Sequence, residues 1–159
     1  MTRAFVGLGS NVDEPPRQLQ DALQELGALP ETRVAATSAF YRSAPLGHLD
    51  QPEFLNAVAE LDTTLAAETL LENLQAIENR HSRVRPFAGA PRTLDLDLLL
   101  YGDAVVTSPR LTLPHPRMHE RAFVLQPLAE IAPDISIPGK GRASDLLAAC
   151  ADQSIERIP

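Results

Sequence analysis

The stretch PRTLDLDLLLY, residues 91–101, decides the fold. It reads as a β-strand in which leucines alternate with two aspartates. Side chains two apart on a strand point to the same face. Leu94, Leu96, Leu98 and Leu100 therefore share one face, which needs a hydrophobic core beneath it. Thr93, Asp95, Asp97 and Leu99 share the other. This spacing sets the Cα atoms of Asp95 and Asp97 roughly 7 Å apart, so their carboxylates can lean over one spot. A sheet with one wet face would also alternate polar and apolar residues. Aspartate, however, is a poor strand former, and two on one face repel. A positive group held between them removes the conflict. Magnesium binds one or two carboxylates together with substrate phosphates and keeps several waters. Two such ions roughly 4 Å apart can clamp a phosphoryl group in transfer. The pair reads as a platform for two magnesium ions.

Just before the strand, NRHSRVRPFAGAPR (residues 79–92) carries Arg80, Arg83, Arg85 and Arg92. A helix end made basic to complement its dipole accounts for Arg80 and Arg83. It does not account for Arg92, which lies beyond the loop. Arginines beside a carboxylate–metal site neutralise a polyphosphate and fix it by bidentate hydrogen bonds. After the strand, LTLPHPRMHERAF (residues 111–123) places His115 between two prolines, with Arg110, Arg117, His119 and Arg121 nearby. A lone histidine is more often structural than catalytic; this setting makes phosphate contact an equal reading.

Further out, residues 3–8 form a short apolar strand ending in the glycines of GLGSN, where a tight turn is the plain reading. Asp13 is placed as an N-cap, with Pro15 and Pro16 in the first turn of a helix. Leu19, Ala22, Leu23 and Leu26 recur at helical spacing up to Gly27. Residues 34–41 and 54–62 are strand-like. Leu70, Leu71, Leu74 and Ile77 stripe a helix from Ala67 to about Arg83. A helix around 117–131 is expected to be kinked or interrupted at Pro127, and a short one follows at 144–151. The elements mix without strict βαβ alternation, which points to an α+β domain with an antiparallel sheet and helices packed on it. There is no P-loop, no GxSxG, no HExxH and no Cys/His metal spacing. Any triphosphate must be held by metal and arginine.

The totals fit this reading. The 159 residues suit a single domain spanning 1–159, with a real core. A formal net charge of −7 argues against binding nucleic acid or membranes by bulk charge. Lys140 is the one lysine among 14 basic residues, and arginine's flat fork suits phosphate better than a point charge. Cys150 is alone, so no disulfide framework is possible. With no signal peptide or membrane-length apolar run, the expectation is a cytoplasmic protein.

Five stretches taken together resemble the 6-hydroxymethyl-7,8-dihydropterin pyrophosphokinase family. They are GLGSN at 7–11, SAFYRSAPLG at 38–47, DQPEFLNAV at 50–58, RVR with GAPRTLDLDLLLYG at 83–102, and LPHPRMHERAFVLQPLAEIAP at 113–133. The set is specific; no single piece would suffice. The resemblance implies a ferredoxin-like α-β-α sandwich with a mainly antiparallel sheet and helices on both faces. It implies transfer of pyrophosphate from ATP to a pterin's hydroxymethyl group, leaving AMP. ATP and a reduced pterin would be the partners of an expected monomer. Asp95 and Asp97 would hold two magnesium ions. Phe54 and Phe123 match the residues that sandwich the pterin, and Ser43, Leu46 and Asn56 match its polar and edge contacts. Gln75, Glu78, Arg83, Arg85, Arg92, Arg110, His115 and Arg121 match the nucleotide side, with Arg83 and Arg92 also catalytic. Stacking on aromatics suits a flat heterocycle in its own right.

The chain departs from the family pattern at Gly89-Ala90, where an aromatic and Gly are usual, and at Pro86, where a basic residue is common. The loop there is about one residue short. Pro116 stands where Tyr is frequent, and Phe54 where Tyr often stands. These positions bear on the mobile loop and the pocket rim. Two other readings remain open on the residues alone. One is a two-aspartate nucleotidyltransferase or cyclase releasing pyrophosphate; the other is a module that binds nucleotide without turnover.

Overall fold

The computed structural model describes residues 1–44, 52–81 and 93–159. Its centre is a βαββαβ unit. Strand β1 (Thr2–Ser10) leads through helix α1 (Pro15–Gly27) to β2 (Thr32–Thr37) and β3 (Tyr41–Ser43). Strand β4 (Phe54–Thr63) then runs antiparallel beside β1, helix α2 (Ala67–His81) crosses over, and β5 (Asp95–Tyr101) returns on the far side of β1. Strands β2 and β3 line successive stretches of β4. The main sheet runs β10–β3–β4–β1–β5, with β2 also on β4, and every pairing is antiparallel. This is the ferredoxin-like order with a C-terminal strand added.

Beyond β5 come the hairpin of β6 (Val106–Thr107) and β7 (Thr112–Leu113), a 3-10 turn at Met118–Glu120, and helix α3 (Ala122–Ile131). Pro127 lies inside α3 without ending it. A second small hairpin, β8 (Ser136–Ile137) and β9 (Gly141–Arg142), precedes helix α4 (Ala143–Ala148), and β10 (Ile155–Arg157) closes the sheet against β3.

Helices lie on both faces, each over its own core. On one, Leu19, Ala22 and Leu26 of α1 and Leu70, Leu74 and Ile77 of α2 pack on Val6, Ala57, Leu96 and Leu98. Fully burying an aliphatic side chain of this size contributes about 1.5–3 kcal/mol. On the other, Met118 and Ala122, Leu125 and Leu128 of α3 pack on Phe5, Val58, Leu99 and Leu100. Leu100 thus leaves the face shared by Leu94, Leu96 and Leu98. The reason is a bulge: Phe5 pairs with Leu100 and Val6 with Leu98, so Leu99 is the extra residue. A bulge shifts the alternation by one, and Leu99 and Leu100 both enter the second core.

The N-terminus of α1 also differs from expectation. Asp13 does not cap it; Glu14 takes the cap position, with no side-chain cap bond. Both residues are left-handed, at φ 56° and 62°, a conformation that disfavours non-glycine side chains. Pro15, with its fixed φ and missing N–H, supplies the helix start instead.

Glu130 of α3 ties the second layer to the sheet. Its carboxylate accepts from the Ala39 amide, at 3.0 Å to Oε2, and from the Tyr41 hydroxyl at 2.5 Å. Burial, and then Glu130 itself, pushes the Tyr41 phenol up to about 12. The folded state therefore holds this proton where the unfolded chain loses it. The contribution of Tyr41 to stability should be full below pH 10 and be lost as pH rises from 10 towards 12. Urea melts across that range should show the loss, and Glu130→Gln should shrink it. A Glu130→Gln profile identical to wild type would remove this link.

Candidate functional site

The second helical layer covers the Leu99–Leu100 end of its sheet face and leaves the other end open. There, a cavity of about 600 Å³ is lined by Gly7, Gly9, Ser43, Phe54, Asn56, Asp95, Asp97, His115, Arg117, Arg121 and Phe123, among others. That size suits a small ligand.

The floor is built from strand register. Asn56, Gly9 and Asp95 form one cross-strand row over β4, β1 and β5. Val58, Gly7 and Asp97 form the next. The glycines of GLGSN are therefore not a turn; they lie in the second half of β1, a strand paired on both sides. A Cβ on Gly9 would lie 3.5 Å from Asn56 Oδ1 and 3.9 Å from the Phe54 ring. Having none, Gly9 leaves a flat strip of backbone between the carboxylates and the amide. At Gly7 the Leu99 side chain occupies the corresponding space, with the nearest atom 3.4 Å from the Cβ position.

One end of the cavity is aromatic and amide-lined. Asn56 is buried, and its Nδ2 donates to Ser43 Oγ at 2.7 Å and to the Tyr41 carbonyl at 3.4 Å. This fixes the amide with Oδ1 facing the Gly9 strip. Phe54 and Phe123 both line the cavity. The Arg121 guanidinium lies 5.4 Å from the centre of the Phe123 ring, within cation–π range.

The other end is charged. Asp95 is half-buried and Asp97 exposed, both at the start of β5 and both on the cavity wall. His115 is held by its backbone: its N–H donates to the Leu99 carbonyl at 3.0 Å, at the bulge. Its Nδ1 accepts from the Arg117 amide at 3.2 Å. Burial holds the His115 ring below its ordinary pKa; Asp97 opposes this, while the charges of Arg121 and Arg117 add to it. Burial thus favours the neutral ring, and with Nδ1 accepting, the proton of that form sits on Nε2.

The expected residues divide in space. Ser43, Phe54, Asn56, Asp95, Asp97, His115, Arg121 and Phe123 come together on this one cavity. Gln75, Glu78 and Arg110 are not among its lining residues. Gln75 is exposed on α2, under the opposite face of the sheet. Glu78 accepts from the Leu96 amide at 2.8 Å, so α2 grips β5 between the two aspartates. Arg110 pairs with Glu72 of α2 at 3.2 Å. Leu46, Arg83, Arg85 and Arg92 lie outside the described residues, as do Pro86, Gly89 and Ala90. Among the described residues no group of three or more His, Cys, Asp or Glu gathers as a self-sufficient metal cage. A pair of carboxylates beside cationic side chains is instead the donor set for an ion that shares its coordination with phosphate.

Sequence reasoning missed two features of the wall. Gly9 was read as part of a turn, and its place became visible only through pairing. Arg117, which the sequence marks only as a neighbour of His115, lines the cavity. No helix among the described residues is long and apolar enough to cross a membrane.

Comparison with known proteins was consistent across the chain. The family model for 7,8-dihydro-6-hydroxymethylpterin-pyrophosphokinase (HPPK) matches residues 5–133. The 2-amino-4-hydroxy-6-hydroxymethyldihydropteridine pyrophosphokinase of Pseudomonas aeruginosa is 53% identical over 157 residues, covering 99% of this chain and 97% of that protein. The protein of the same name from Haemophilus influenzae is 44% identical over 158 residues, covering 99% of each. In fold, the chain is similar to the solved Plasmodium falciparum HPPK-DHPS, with a TM-score of 0.74 over 96% of this chain at 12% identity. It spans 44% of that longer chain, and the likeness there is one of fold.

Proposed function

The chain belongs to the 7,8-dihydro-6-hydroxymethylpterin-pyrophosphokinase family, and from that premise we infer that it transfers pyrophosphate from ATP to 6-hydroxymethyl-7,8-dihydropterin. The products are AMP and the pterin diphosphate, in folate biosynthesis. The observation that carries this reading is the two-ended cavity: an aromatic and amide end for a flat heterocycle, and a carboxylate end for a metal-bound polyphosphate, joined by the Gly9 strip.

The pterin lies between Phe54 and Phe123, stacked on both rings. Asn56 Oδ1 accepts from a pterin N–H, and Ser43 holds the amide in that orientation. Asp95 and Asp97 would hold magnesium, which, bound as two ions, would supply charge neutralisation for the triphosphate. His115 donates its Nε2–H to a phosphate oxygen. Arg121 serves both ends, backing the Phe123 ring and facing the phosphates. Arg83, Arg85 and Arg92 are assigned to the nucleotide by the family pattern, as are Gln75, Glu78 and Arg110, with Leu46 at the pterin edge. The hydroxyl oxygen of the pterin attacks the β-phosphorus in line, the bond from that phosphorus to the α,β-bridging oxygen breaks, AMP departs with that oxygen, and the hydroxyl proton passes to solvent. Positioning and electrostatic stabilisation carry such a step without a strong base. We propose a single domain over residues 1–159, acting as a cytoplasmic monomer.

The test is product analysis with ATP, magnesium and 6-hydroxymethyl-7,8-dihydropterin. AMP formed only when the pterin is present is the expected result. Pyrophosphate released instead would indicate a nucleotidyltransferase, and an unchanged nucleotide pool would indicate a module that only binds.

A further inference from the structure

Six of the ten arginines among the described residues are spoken for, and Arg142 and Arg157 do not line the cavity. Arg3, Arg17, Arg33, Arg42, Arg80 and Arg110 each pair with a carboxylate. Arg117 and Arg121 line the cavity, and neither has a carboxylate partner within ion-pair distance among the described residues. Arg121 is stacked on Phe123. The Arg117 side chain is exposed and makes no such contact. Its position is nonetheless fixed at the root: its amide donates to His115 Nδ1, and its charge is felt at the His115 ring together with that of Asp97. The guanidinium thus stands at the carboxylate end, where a polyphosphate would bring concentrated negative charge. Solvation and conformational freedom keep it available until an anion arrives.

We propose that Arg117 is an anion-binding residue of this cavity, contacting the terminal phosphate of the group being transferred and of the diphosphate product. The inference rests on the pyrophosphokinase reading and deepens it. It adds a cation that neither the motif pattern nor the comparisons single out, beside the rigid Pro114-His115-Pro116 segment. A forked guanidinium can bridge two oxygens of one phosphate, which favours a doubly charged terminal phosphate over the bridging ones.

The experiment uses Arg117→Gln and Arg117→Lys in the full chain. Binding of magnesium α,β-methylene-ATP, of the pterin diphosphate, and of the pterin alone is measured by calorimetry. Loss of one charge-assisted phosphate contact should weaken the analogue and the diphosphate about tenfold in Arg117→Gln. The pterin alone should bind as in wild type, the melting temperature should hold, and Arg117→Lys should recover part of the loss. The slope of analogue affinity against salt should also become shallower. Unchanged affinity for both phosphorylated ligands would overturn the proposal. So would an equal loss for the unphosphorylated pterin, which would make Arg117 a shaper of the pocket. A wild-type chain that released no AMP would instead sink the reading on which the inference rests.

Discussion

Asp97→Asn should lower turnover by on the order of 10³-fold at saturating magnesium, with the fold intact. The substitution keeps size and shape and removes one unit of negative charge from the cavity wall. Asp97 is exposed at the start of an edge strand and faces the cavity, so its loss should cost little stability. On the proposed mechanism it removes one of the two carboxylates that would make magnesium binding favourable beside the guanidiniums of the cavity. Asp95→Asn should act in the same direction. Asp95 is half-buried, so a change in melting temperature there has to be separated from the loss of rate. Steady-state AMP formation, followed across a magnesium titration, checks both. Near-normal turnover in either variant would mean that the pair is an unusual polar face and no metal platform.

The second large effect is at Gly9. Gly9→Leu should weaken binding of the pterin by roughly 100-fold, as forced overpacking of a fitted site costs about 3 kcal/mol. Gly9 sits in the row between Asn56 and Asp95, so a side chain there rises from the floor into the ligand's place. Gly9→Ala should be graded between. Its methyl would meet Asn56 Oδ1 at 3.5 Å and the Phe54 ring at 3.9 Å, ordinary contact distances that the fold can accept. Magnesium α,β-methylene-ATP should still bind both variants, because the charged end is left as it was. Equal loss of nucleotide and pterin binding would show that the change had disturbed β1 as a whole. Full pterin affinity in Gly9→Leu would place the heterocycle elsewhere.

The two predictions rest on information of different kinds. Asp95 and Asp97 stood out in the sequence because their chemistry conflicts with their surroundings: two like charges on one face of a leucine strand. The conflict was local, so a period of two was enough to read it. The α+β class was legible for a related reason. The stripes Leu19–Ala22–Leu26 and Leu70–Leu74–Ile77 alternate with strand segments, and both helices dock where that pattern places them. Gly9 carried no such conflict. A glycine after an apolar run is compatible with a turn, and only its pairing to Asn56 on one side and Asp95 on the other shows that it is a floor. Leu100 misled for the same reason in reverse. The alternation was regular in the sequence, and the bulge that breaks it arises from the pairing with Phe5 and Val6.

The sequence by itself determined the class of the fold and the family, and marked the carboxylate pair and the aromatic and amide residues as candidates for the site. The fold class and the carboxylate pair rest on residue chemistry and on periods of 2 and 3.6 that survive without knowledge of contacts; the aromatic and amide residues and the family rest on the resemblance of five stretches of sequence. Tertiary structure decided which of the expected residues meet. It joined Ser43, Asn56, Asp97 and Phe123, from four separate segments, on one cavity. It paired Arg110 with Glu72, and it bound Glu78 to the Leu96 amide. It also left Arg117 facing the cavity with no carboxylate partner among the described residues. An arginine has the same covalent structure whether it ends on a surface carboxylate or over an open site. Which it does depends on the positions of chain segments far apart in sequence, and those positions are set by the packing of both helical layers on one sheet.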